Sequence, residues 1–160
     1  MLEAKQAVGG RASGGELDQL VGYQIHFTDL FALQGARAAL AERQTTPATV
    51  TALLYIRDCA GCDQATVGRL LSINRSSVMK LVDRLELRGF VERCAGRDRR
   101  SNGLYLTDKG RRFLLEVLEL LKKTDAVLCQ NLNARERAEL LRLLKKIGMG
   151  AAAGAGMTAE

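Results

Sequence analysis

Tryptophan is missing from this chain of 160 residues, proline and histidine occur once each, and aromatic residues make up only 4%. So little proline, beside abundant Leu, Ala, Arg and Glu, favours a mainly helical chain. No apolar run approaches the ~18 residues that a membrane span needs, and no membrane partner is expected. The first twenty residues hold no apolar core of the secretory kind, so the protein is expected in the cytoplasm. There its four cysteines, Cys59, Cys62, Cys94 and Cys129, are expected to be reduced rather than a disulfide framework. A single histidine and a single C-x-x-C, Cys59-Ala-Gly-Cys62, leave a zinc site short of two ligands. No βαβ pattern surrounds that motif, as a thioredoxin-like enzyme requires, and no nucleophile–base pair marks another. The expectation is no enzyme, no metal and no cofactor.

What is present is positive charge, and it is concentrated. The net charge is +6 and the pI about 9.4. Between Arg69 and Arg112 stand twelve Lys/Arg and five Asp/Glu, a net +7, so the rest of the chain sums to −1. A polyanion is the partner that such a segment suits.

Along the chain, residues 1–13 read as a flexible arm. From Glu16 to about Ala41 apolar residues recur at helical spacing, among them Leu17, Leu20, Phe27, Leu30 and Phe31. Thr46-Pro47 is an N-cap followed by proline at the first helical position, opening a helix that ends near Cys59-Ala60-Gly61. Asp63 caps a short helix over Gln64–Leu71, and Asn74 caps another over Arg75 to about Arg88, with Gly89 as its stop. Val78, Leu81, Val82 and Leu85 form its inner stripe.

Then the period changes. Residues 90–94 and 104–106 alternate like two strands, joined by an arginine-rich tip. Thr107 caps a helix to about Cys129, and Asn133 with Glu136 opens a last one. The glycine–alanine end reads as disordered.

Short helix, turn, helix, hairpin is the order of a winged helix-turn-helix. The fold expected is mainly α, with a small β-hairpin wing and a helical dimerisation region formed by the N- and C-terminal helices. The boundaries are 1–13 arm, 14–45 first dimerisation helix, 46–108 DNA-binding domain, 109–148 C-terminal dimerisation helices and 149–160 tail. Double-stranded DNA is the expected partner. Arg75, Ser76 and Ser77 start the recognition helix, where side chains reach base edges of the major groove. Lys80 and Arg84 follow as phosphate contacts, and Gln64 opens the preceding helix as another. At the tip, Arg97, Asp98, Arg99 and Arg100 suit a narrow minor groove, with Asp98 bracing Arg100 by a charge-assisted hydrogen bond.

The stretch DQATVGRLLSINRSSVMKLVDRLELRGFVERCAGRDRRSNGLYLTDKGR, residues 63–111, closely resembles the MarR family of bacterial transcription regulators. The NRSSVMKLVDRLELRGFVER segment, the DRR of the wing and the LYLTDKG exit into a long helix carry that resemblance. By layout it extends over about 16–148. It implies a homodimer with intertwined N- and C-terminal helices, two winged lobes on a palindromic operator, and a repressor released by a small ligand or by oxidation. The family's wing aspartate and arginine match Asp98 and Arg100. The apolar stripes of the first and last helices independently favour a dimer.

The family's effector pocket implies Tyr23, His26, Phe27 and Phe31 on the first helix and Tyr55 and Arg57 on the second. Aromatic rings beside a histidine or arginine suit an aromatic carboxylate or its coenzyme A thioester. Simple core packing is the competing reading of the same spacing. The alternative switch is redox chemistry at Cys59 and Cys62. Peroxide-sensing relatives carry their cysteine near the start of the first helix, and here no cysteine precedes residue 59, so that arrangement does not transfer.

Overall fold

The computed structural model describes residues 15–95 and 102–154. A short 3-10 helix, Glu16–Gln19, precedes α1, Val21–Ala41. There follow α2 (Pro47–Asp58), α3 (Gln64–Leu70), α4 (Arg75–Leu87), β1 (Val91–Ala95), β2 (Asn102–Leu106), α5 (Asp108–Leu128) and α6 (Ala134–Gly154).

Most helix starts follow from one residue each. The side-chain oxygens of Thr46, Asp63, Asn74 and Thr107 accept from the backbone N–H three positions on, at 2.7–3.2 Å, satisfying one of the donors that a helix start leaves open. At α6 the box is reciprocal. Asn133 Oδ1 accepts from Glu136 N at 3.0 Å, and Glu136 Oε2 accepts from Asn133 N at 2.8 Å. Gly89, at φ +69, ends α4 in the left-handed conformation that costs glycine least.

Two expectations change. The helix from Glu16 is broken at Leu20, whose ψ of 117 is extended; no side chain caps α1 there. At the other end α6 continues to Gly154, into the 149–160 stretch read as a disordered tail. Its alanines are the best helix formers. Residues 155–160 and the arm at 1–13 lie outside the described residues.

β1 and β2 pair antiparallel, with Val91 opposite Leu106 and Arg93 opposite Leu104. The core lies between α2, α3, α4, the hairpin and the first half of α5. Leu53, Ile56, Val67, Val82, Leu85, Leu104, Leu114 and Val117 are fully or almost fully buried there, each such side chain contributing roughly 1.5–3 kcal/mol by leaving water. From α1 only Leu40 is buried among the described residues. In α6 every residue of 134–148 is exposed. No described helix is long and apolar enough to cross a membrane.

Candidate nucleic-acid interface

The helix-turn-helix is built by α3, a turn through Ser72 at φ +53, and α4. Val78, Leu81, Val82 and Leu85 turn inward, which presents Arg75, Ser76, Met79, Lys80 and Arg84 to solvent. Ser76 donates its hydroxyl hydrogen to Asn74 Oδ1 at 2.8 Å, keeping lone pairs for an incoming donor. Ser77 is half-buried, and its N–H closes the cap of α4. Arg84 Nε donates to the Lys80 carbonyl at 3.2 Å, leaving its two terminal nitrogens. Arg75 and Lys80 have no side-chain partner among the described residues. A depression of about 830 Å³ runs between α3 and the start of α4, lined by Gln64, Arg69, Ser72, Arg75 and Met79.

Arg69 Nη2 is held on Thr66 Oγ1 at 2.9 Å. Gln64 differs from its expected posture: its Nε2 is shielded from solvent and has no hydrogen-bond partner. The tip residues Arg97, Asp98, Arg99 and Arg100 lie outside the described residues.

Not all of the positive charge faces outward. Arg93 on β1 reaches back to α4, bonding Asp83 at 2.5 Å and also Glu86. Arg88 donates to the carbonyls of Gln44 at 2.8 Å and Arg43 at 3.1 Å, and its guanidinium sits 4.6 Å over the Phe90 ring. Phe90 stacks on Phe113 of α5 at 4.2 Å. These two arginines fix the frame that carries α4. Sequence reasoning counted both with the outward charge, and only tertiary proximity reveals their role.

The candidate effector residues are only partly brought together. Tyr23, Phe27 and Phe31 form a ladder along α1, with centroids 6.3 and 5.1 Å apart. His26 is exposed, Tyr55 half-buried, and Arg57 bonds its neighbour Asp58 at 2.8 Å. Phe31 also lines a cavity of about 580 Å³ between α1 and the end of α5, with Gly35, Leu121, Thr124 and Leu128; none of the other five lines it. Among the described residues no three His, Cys, Asp or Glu converge as metal ligands.

A recognition helix with an apolar inner face and cationic outer face, framed by a two-stranded wing, is that of a winged helix-turn-helix DNA-binding transcription regulator. Residues 43–101 match the sequence model of the MarR family. The transcriptional repressor CouR, solved bound to a 23-mer DNA duplex, is 32% identical with a TM-score of 0.75, the match covering 87% of this chain and 99% of that one. A MarR family protein of Mycobacterium tuberculosis, solved with p-aminosalicylic acid, is 25% identical with a TM-score of 0.70 over 81% and 98% of the two chains. A Thauera aromatica protein described as a transcriptional regulatory protein for the hcr operon is 29% identical over 115 residues, 71% of this chain and 69% of that one. The chain belongs to the MarR family, whose members among these relatives are regulators rather than enzymes.

Proposed function

We propose that the protein is a cytoplasmic homodimeric repressor that holds a palindromic operator and releases it when a small organic ligand, an aromatic acid or its coenzyme A thioester, binds. The observation that carries the DNA part is the outer face of α4, where Arg75 and Lys80 stand exposed with no partner among the described residues. Arg75 takes base edges by a bidentate pair to guanine. Lys80 and Arg84 take phosphates. The wing arginines, Arg100 foremost, enter the minor groove. Gln64 joins the phosphate contacts once its amide rotates outward.

The dimer is supported by α6. Leu140, Leu141, Leu144 and Ile147 form a stripe at least 39% exposed, left uncovered by the described residues of the same chain. In the proposed dimer the matching stripe of a second copy covers it. The repressor reading is supported by CouR, and the aromatic ligand by the p-aminosalicylic acid complex. The ligand site is assigned to Tyr23, His26, Phe27 and Phe31 with Tyr55 and Arg57. DNA and ligand prefer different lobe spacings, so each weakens the other by the same factor.

Fluorescence anisotropy on DNA from upstream of the protein's own gene tests this reading, with aromatic acids and their thioesters titrated under reducing conditions. Salt-dependent binding relieved by one such compound is the expected outcome. Binding with no salt dependence overturns the DNA part, and indifference to every compound overturns the ligand part.

A further inference from the structure

The N-terminal half of α4 turns one large apolar side chain outward among its polar ones. Met79 is 50% exposed, set between buried Val78 and exposed Lys80. It follows Arg75 by one helical turn, a spacing that places the two side chains about 5–6 Å apart on one flank of the helix. Both line the depression beside α3. Leu87 is exposed as well, but it sits at the C-terminal end of α4, away from the end that enters a groove. In water an exposed methionine gains nothing; it gains when another apolar group covers it.

The rest of this face leaves one kind of base unread. Arg75 suits guanine, and Lys80 and Arg84 suit phosphates. Adenine is read by the carboxamide of Asn or Gln, and α4 holds neither. Asn74, just before it, has its Oδ1 occupied by Ser77 N–H at 2.9 Å and the Ser76 hydroxyl at 2.8 Å. Gln64 stands on α3, the helix that crosses the backbone rather than reading bases. Cytosine is read by a carboxylate, but Asp83 and Glu86 are both bonded to Arg93. Ser76, its proton already donated, can accept from adenine or cytosine alike and separates neither. The group left to distinguish an A·T pair is the thioether of Met79.

We propose that Met79 is a specificity-determining residue that recognises the C5-methyl group of a thymine in the major groove, close to the guanine read by Arg75. The inference rests on the DNA-binding reading above and adds a base to it. Thymine is the one base that presents a methyl group in that groove. Methionine is unbranched, polarizable and turns about three bonds, so it can settle on such a group without a fixed geometry. Four residues advance about 6 Å along the helix, less than two base-pair steps of ~3.4 Å. The thymine therefore lies within two base pairs of the guanine.

The test uses the full chain to select sites from a pool of random DNA duplexes. Affinity for the selected site is then measured by fluorescence anisotropy, with single thymines replaced by uracil. That change removes the methyl group and keeps every hydrogen-bonding group of the base. The unaltered protein should bind roughly fourfold more weakly when one particular thymine, within two base pairs of a required guanine, loses its methyl, the worth of burying one such group. Met79→Ala should bind thymine and uracil equally there. Met79→Leu, which keeps an apolar side chain, should still prefer thymine. Each variant is compared with itself on two duplexes, so a general loss of affinity or of folded protein does not move the ratio. Indifference of the unaltered protein to every uracil overturns the proposal and leaves DNA binding standing. So does a thymine preference that survives in Met79→Ala. A protein that selects no duplex overturns the DNA-binding reading, and the role of Met79 with it.

Discussion

Helices α4 and α6 carry nearly the same apolar rhythm and meet opposite fates. In α4, Val78, Leu81, Val82 and Leu85 are at most 7% exposed, covered by α3 and the hairpin. In α6, Leu140, Leu144 and Ile147 stay in water. A pattern tells a helix which face to bury, not which chain will cover it. The winged lobe closes its core within one chain, so its stability is set by packing. No described residue of the same chain buries the α6 stripe; in the proposed dimer it is covered by association, and its stability then depends on protein concentration.

The largest effect should come from cutting into the closed side. Leu85→Ala removes a side chain that is 1% exposed and should cost about 2–5 kcal/mol. Thermal unfolding checks it, and an unchanged midpoint would remove Leu85 from the core. The converse change, Leu144→Glu with Ile147→Glu, should leave the lobe folded but weaken self-association by at least about 2 kcal/mol, the size expected of central interface residues. Sedimentation velocity should then find a monomer; an undisturbed dimer would mean that α6 is not the seam. On the outer face of α4, Arg75→Ala should cost roughly 1–3 kcal/mol and relax base preference at one position, as competition between operator variants would reveal.

The smallest effect concerns pH. The Thr66 backbone N–H and then its hydroxyl hold the Asp63 carboxyl below its ordinary range. A lowered folded value contributes stability that is present above the unfolded pKa of about 3.9 and is lost as pH falls through the folded value. Asp63→Asn keeps an acceptor at the cap. It should change little at neutral pH and flatten the loss of stability below about pH 4, measured by denaturant titrations across the acid range.

Local rules made most of the fold legible. Thr46-Pro47, Asp63, Asn74, Gly89, Thr107 and the Asn133–Glu136 pair each act within four residues, and each marks the helix boundary that the structure has. The recognition helix was legible for the same reason. Relations across distance were not. Arg93 meets partners ten and seven positions away across the end of α4, and Arg88 meets carbonyls 44 and 45 positions away; neither follows from helix or strand periodicity. The break at Leu20 carries no proline or capping side chain to announce it. The aromatic ladder of α1 has the same spacing whether it lines a pocket or an interface, so spacing alone could not separate them.

Helix α5 belongs to both halves of this contrast. Leu114 and Val117 are locked into the lobe, while Val127 and Leu128 near its far end are exposed. At 21 residues it is a rod about 32 Å long at 1.5 Å per residue. A tilt of roughly 10° about its far end swings the lobe end by about 5 Å, more than the ~3.4 Å rise of one base pair. The rod is thus a lever arm, and an adjustment too small to disturb a packed seam is long enough, at the groove, to lose a step of the duplex.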